Sequence, residues 1–255
     1  MKLVMLGSGT STGVPRIGND WGDCDPSEPR NRRTRASIVV ESPAGSRLLV
    51  DTSTDLRQQL LANNIGKVDA VFWTHDHADH CHGIDDLRPM RYARSGPLPG
   101  FASRETVDRL KRRFDYVFSG QHGYSTIVEL SDLDRLRIHA GFGVDSVEMP
   151  HGPARSTGFR FEYDGKTIAY ATDFSEITSD MLSLFSRVDI LVTDCLRREK
   201  HPTHANLAMA IELATKSRAK KTVLTHLDKS MDYAALCAEV PANVMVGYDG
   251  LELKA

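Results

Sequence analysis

Apolar residues in this chain fall into short runs separated by polar turns and a few helical stretches. Leu3–Leu6 is apolar and breaks at Gly7-Ser8-Gly9-Thr10-Ser11-Thr12-Gly13, which predicts a strand entering a loop. Segments 36–41 and 47–51 flank Pro43-Ala44-Gly45 and read as a hairpin. Thr54 is placed to cap a helix over 55–62, and Val68–Trp73 reads as a buried strand ending at Thr74-His75. In the second half, 144–149, 158–163, 167–172, 189–193, 221–225 and 244–246 predict strands, while 179–185 and 205–216 predict helices. In the second of these helices Leu207, Ala210, Ile211 and Ala214 recur at helical spacing. Segment 84–130, with Pro89, Gly96, Pro97, Pro99 and Gly100, is the least regular and reads as an insertion or lid.

Hairpin strands combined with strand–helix units in both halves predict an α+β chain: an αββα sandwich of two packed mixed sheets with helices on both outer faces. The 255 residues contain no linker, low-complexity segment or tandem repeat, so a single domain over 1–255 is expected. Hydrophobic residues at 40% and charged residues at 26% fit a soluble globular protein. Lys and Arg number 32 against 34 Asp and Glu, a net charge of −2 that argues against a uniformly basic nucleic-acid surface and leaves a local patch open. No apolar run reaches the ~18 residues of a membrane span, so no membrane partner is expected. The N-terminal apolar stretch is too short for a signal peptide. The four cysteines form no CxxC pair, which points to the cytoplasm rather than to a disulfide scaffold.

Ten histidines are present, and four of them lie between positions 75 and 82. Thr74-His75-Asp76-His77-Ala78-Asp79-His80 follows the buried strand directly, so a short loop presents imidazoles and a carboxylate to one pocket. Those groups suit Zn, Mn or Fe, and two ligand groups from one loop suggest two metals. Further ligands are sought as single His or Asp residues at the ends of apolar strands; His151, Asp173 and His226 qualify.

This series, HxHxDH (His75, His77, Asp79, His80), then His151, Asp173 and His226, resembles the metallo-β-lactamase fold superfamily in type and order over almost the whole chain. The resemblance implies that His75, His77 and His151 hold one divalent ion, that Asp79, His80 and His226 hold the other, and that Asp173 bridges them. A finer resemblance, carried by Gly7–Pro15, Arg30–Ser37 and Tyr170–Asp173, is to the phosphoribosyl cyclic phosphate phosphodiesterase branch. Members of that branch carry a cysteine-rich structural zinc loop, whereas this chain has only Cys24 there, which argues against a structural zinc. His204, just before the predicted helix, is similar to a phosphate-contacting His of the tRNA 3′-processing nucleases and related phosphodiesterases; His201 competes for that role.

The expected activity is hydrolysis of a small cyclic phosphate or nucleotide phosphodiester by hydroxide from a metal-acidified water, with Asp79 and His204 as catalytic side chains and His204 also contacting substrate. The alternatives are a tRNA 3′-processing-like ribonuclease, a thioester, lactone or β-lactam hydrolase of the same fold, and a binding module without catalysis. Zn or Mn is favoured, and a homodimer is left open. Asp76 and His82 are expected to touch ligands rather than metal, Cys81 to pack, and His122 and His139 to have no role. The basic runs Arg30/Arg32/Arg33/Arg35 and Arg109/Lys111/Arg112/Arg113 read first as solvated faces, with phosphate recognition as the alternative.

Overall fold

The computed structural model describes residues 1–120 and 123–255; His122, expected to have no role, lies outside them. The strands are β1 (Lys2–Gly7), β2 (Ser37–Glu41), β3 (Arg47–Val50), β4 (Ala70–Phe72), β5 (Leu98–Ala102), β6 (Val128–Asp132), β7 (Ile138–His139), β8 (Phe142–His151), β9 (Ala154–Tyr163), β10 (Lys166–Ala171), β11 (Ile190–Asp194), β12 (Lys221–Thr225), β13 (Val244–Val246) and β14 (Glu252–Lys254). The α-helices are α1 (Leu56–Ala62), α2 (Ala78–Cys81), α3 (Arg88–Tyr92), α4 (Arg104–Arg113), α5 (Asp115–Ser119), α6 (Ser179–Leu184), α7 (Leu207–Ser217) and α8 (Tyr233–Glu239).

The apolar runs are continuous because their strands are buried on both faces. Successive side chains of a strand point to opposite sides. In β1, Leu3 and Met5 enter the core between the sheets, while Val4 and Leu6 face the helices outside. In β3, Leu48 and Val50 point inward and Leu49 outward. On the other sheet, Ile168 and Tyr170 of β10 join the central core, and Ala169 and Ala171 pack under the outer helices. Phe72, Phe159 and Phe161 interlock across the middle, with ring centroids 5.4–5.5 Å apart from Phe72.

Two seven-stranded sheets result, ordered β14-β1-β2-β3-β4-β5-β6 and β13-β12-β11-β10-β9-β8-β7. Each is mixed, with a parallel block (β3 to β6, and β10 to β13) and an antiparallel block. This is the expected αββα sandwich.

Two expectations are corrected. Thr54 does not cap α1: the N-cap is Asp55, with no side-chain cap bond, because its carboxylate accepts from Arg35 instead. Segment 84–130 is not simply an insertion or lid, since β5 and β6 extend the first sheet from within it. Gly100 lies in β5, paired with Val71 and Leu130, and has no room for a side chain, which would meet Val128 Cγ1 at 2.6 Å and the Trp73 ring at 2.8 Å.

Candidate metal centre

The cluster is assembled where the parallel strands end. After β4, the chain passes through Trp73 and Thr74 to His75, Asp76 and His77, then turns into α2, which carries Asp79 and His80. Gly83 follows at φ −88°, so it is needed for space rather than for a left-handed turn: a side chain there would drive into the Ser53 carbonyl. His151 ends β8, Asp173 follows β10 and His226 follows β12. Asp173 and His226 both sit at positive φ, 60° and 61°, as does Asp51 after β3 at 64°. Left-handed conformations of non-glycine residues cost about 1–3 kcal/mol and collect at functional sites.

All seven side chains predicted as ligands converge. The inner ligand atoms of His75, His77 and His151 lie within 4.8 Å of one another, and so do those of Asp79, His80 and His226. Asp173 stands between the groups: its Oδ1 is 3.7 Å from His151 Nε2, while its Oδ2 is 3.1 Å from His80 Nε2 and 3.8 Å from His226 Nε2. His77 Nδ1 is 3.3 Å from His151 Nε2.

The outer nitrogens of His75, His80 and His151 are tied to the scaffold, and this aims the inner ones. His80 Nδ1 is 2.7 Å from Asp51 Oδ2, and Asp51 is itself held by the Thr74 backbone N–H and hydroxyl. His151 Nδ1 donates to the Thr203 carbonyl at 2.7 Å. His75 Nδ1 faces the Thr74 hydroxyl at 3.0 Å, and His226 Nδ1 faces Asp194 Oδ1 at 3.5 Å. Such outer partners fix ring orientation and raise the basicity of the free nitrogen.

Burial pushes the Asp173 carboxyl up, but His226 and His80 outweigh it and hold the group well below the ordinary carboxylate range. Burial disfavours charge on His80, yet Asp79, Asp173 and Asp51 raise it well above a free imidazole. His226 is likewise lifted to about 10, against burial, by Asp173 and Asp194. His75 has the reverse balance: burial and the neighbouring His80 keep it well below. The carboxylates therefore demand positive charge at the centre. A divalent cation answers that demand and takes the neutral imidazoles. The buried Nε2 atoms of His75 and His80, which have no hydrogen-bond partner among the described residues, are oriented for it. The cluster fits a divalent metal site.

His204 joins the cluster and His201 stands outside it. His204 Nδ1 is 3.2 Å from Asp194 Oδ2 and 3.4 Å from Asp173 Oδ1, and its ring lies 4.9 Å from those of His151 and His226. His201 meets the His204 ring at 5.1 Å, and its Nδ1 accepts from the Thr203 N–H.

Asp51 and Asp194 were not singled out from sequence, although both end apolar strands just as Asp173 does; the same criterion would have found them. Among the described residues the Asp76 carboxylate bonds to none of the predicted ligands. It pairs with Arg109 Nη1 at 3.2 Å and Arg113 Nη2 at 2.9 Å, both from α4, so that basic run is not only a solvated face. In the other run, Arg35 Nη1 donates to both carboxylate oxygens of Asp55 at 2.9 and 3.1 Å, and Arg32 lies over Trp21. Arg33 is buried, donating to the carbonyls of Asp228 and Met231 at 3.2 and 2.7 Å, to Asn31 and to Cys24 Sγ. That guanidinium, rather than a cysteine cluster, ties the 24–33 loop to residues 228–231. Cys81 is buried with its thiol pushed up to about 12, chiefly by burial, and packs as expected.

Comparison with known proteins places this geometry in a family. The profile of the β-lactamase superfamily domain matches residues 46–227. An octanoyltransferase of Porphyromonas gingivalis (strain ATCC BAA-308 / W83) is 32% identical over 99% of this chain, which spans about half (51%) of that relative's length. Coenzyme PQQ synthesis protein B of Methylorubrum populi is 29% identical over 76% of this chain and 72% of its own. Among solved structures, a diphosphatase from the PhnP family superposes with a TM-score of 0.89 at 37% identity, covering 99% of this chain and 96% of that one. Human tRNase Z, short form, at 20% identity and a TM-score of 0.72, shares the fold. The chain belongs to the β-lactamase superfamily and has the metallo-β-lactamase fold.

Proposed function

We infer that the chain hydrolyses the P–O bond of a small phosphodiester or diphosphate, of the cyclic phosphate or nucleotide kind, at a centre of two divalent cations. The observation that carries this is the convergence of His and Asp donors around Asp173, among which His75, His77 and His151 form one close group and Asp79, His80 and His226 another. His75, His77 and His151 would hold one ion, Asp79, His80 and His226 the other, with Asp173 between them. Such a pair supplies positive charge to a phosphoryl oxygen and acidifies a coordinated water to a pKa of about 7.

The remaining work falls to the chain. Asp51, Asp194 and the Thr203 carbonyl keep the imidazoles aimed. His204 is the proton donor. Asp194 accepts from its Nδ1 and also from the Ala205 N–H, which turns Nε2 to the far side of the ring; in the imidazolium form Nε2 presents the proton that a leaving oxygen takes. His204 also stands beside the Asp173 carboxylate, within reach of a phosphate bound there.

Two observations favour a small substrate over RNA. The net charge is −2, and neither arginine run forms a free cationic stripe, since Arg33, Arg35, Arg109 and Arg113 are engaged within the chain. The similarity to a diphosphatase at 37% identity supports phosphoryl chemistry. The octanoyltransferase name belongs to a protein of which this chain spans half. The test is a panel of cyclic ribose phosphates, nucleoside diphosphate derivatives, short RNA, a thioester and a lactone, assayed with metal content measured. Turnover of a small diester or diphosphate with little on RNA is expected. Turnover of the thioester or lactone alone would overturn the reading.

A further inference from the structure

The metal cluster is closed on most sides. His75, His80, His151, Asp173 and His226 are buried, while His77 is exposed and Asp79 is partly so. The centre therefore opens at His77 and Asp79. Beside that opening lies a depression of about 620 Å³, lined by His77, Ala78, Asp79, His82, Arg113 and Phe114. Its far wall consists of flat groups. The rings of His82 and Phe114 meet edge to face, 5.5 Å apart at 86°. Arg113 stands next to Phe114 with 45% of its side chain exposed.

This wall is built rather than incidental. Phe114 terminates α4, its N–H donating to the Leu110 carbonyl at 2.8 Å, and it packs partly against the outer core. Arg113 is locked to Asp76 by the 2.9 Å ion pair and by a bond to the Asp76 carbonyl. Asp76 lies between the ligands His75 and His77, so the wall is fixed with respect to the centre. Resting on the proposed phosphohydrolase function, we propose that the depression binds the nucleobase of a nucleotide substrate whose phosphate lies at the metal centre. A base has a flat π face that gains from phenyl, imidazole and guanidinium planes, and such stacking tolerates any base. A base-free ribose phosphate gains nothing from them. The proposal thus selects the nucleotide over the cyclic ribose phosphate.

The test is equilibrium binding by calorimetry of adenosine 5′-monophosphate and of ribose 5-phosphate to the full, metal-loaded chain. Wild-type protein is expected to bind the nucleotide about tenfold more tightly than the sugar phosphate. Phe114→Leu, which keeps the buried contact, should weaken the nucleotide about tenfold and leave ribose 5-phosphate within twofold. Phe114→Trp should restore tight nucleotide binding, which guards against a folding defect. Equal affinities for the two ligands in the wild type, absence of nucleotide binding at millimolar concentration, or equal weakening of both ligands by Phe114→Leu would each overturn the proposal. Because no turnover is required, failure of hydrolysis on every phosphate tested would sink the proposed function separately, leaving the ring preference to be read.

Discussion

Asp194 shows how a side chain that is no predicted ligand controls the centre. Its Oδ2 accepts from His204 Nδ1 and the Ala205 N–H, and its Oδ1 faces His226 Nδ1. Asp194→Asn replaces an acceptor-only group with one that presents a donor to one of these neighbours. Loss of such an outer partner costs 10–100-fold in metal affinity or activity. The expected result is a fall in kcat of that order with the fold intact by circular dichroism; a variant with wild-type kcat and wild-type metal affinity would contradict the role. The HxHxDH run was legible because its members are contiguous and follow an apolar strand. His151, Asp173 and His226 were legible because each closes such a strand. Asp51 and Asp194 obey the same rule, each closing an apolar strand. Arg33 was not legible at all: its partners, Asp228 and Met231, are almost 200 residues away.

At the scale of elements, the centre depends on how closely α2 approaches the end of β3. Thr52 N–H donates to the His80 carbonyl and Gly83 N–H to the Thr52 carbonyl, both within 2.9 Å. A side chain at Gly83 would collide with the Ser53 carbonyl, so Gly83→Ala must push α2 away from Asp51 and displace His80. Forced overpacking costs roughly 1–3 kcal/mol, or several degrees of Tm for a chain of this size. Thermal melting of the metal-free protein should show that loss, and metal titration should show weaker binding; unchanged Tm and affinity would mean the backbone relaxes at no cost. The strand–helix alternation of the second half was readable because β10 to β12 are apolar on both faces. The first sheet's β5 and β6 were not, because Pro99 and Gly100 read as loop residues. They lie in a strand through pairing with β4 and β6, and Trp73 and Val128 fill the space beside Gly100.

Across the whole molecule, Asp249 joins parts that are distant in sequence. Its carboxylate accepts from the N–H and hydroxyl of Ser8 at 2.9 and 2.8 Å and from those of Thr34 at 2.7 and 2.6 Å. It thereby ties the loop after β1 and the loop before β2 to the C-terminal segment. Burial nevertheless pushes its carboxyl up to about 6. An acid whose folded pKa lies above its unfolded value near 3.9 takes up a proton on folding. It therefore adds stability as the pH falls from about 6 to about 4, by roughly 3 kcal/mol at most. Asp249→Asn removes that titration. The stability difference, wild type minus variant, measured by urea unfolding, should grow as the pH falls from 6.5 to 4.5; a constant or shrinking difference would show that the carboxylate stays charged.

No helix in the described residues is long and apolar enough to cross a membrane. Seven side chains from both halves of the molecule meet at one place, and the central claim is that they hold two ions and split a phosphoryl bond. The most direct measurement is titration of the chelator-stripped protein with Zn or Mn while hydrolysis of bis(p-nitrophenyl) phosphate is followed. Activity should rise with added metal and level off at two equivalents per chain. A plateau at one equivalent, or no hydrolysis with two ions bound, would contradict the claim.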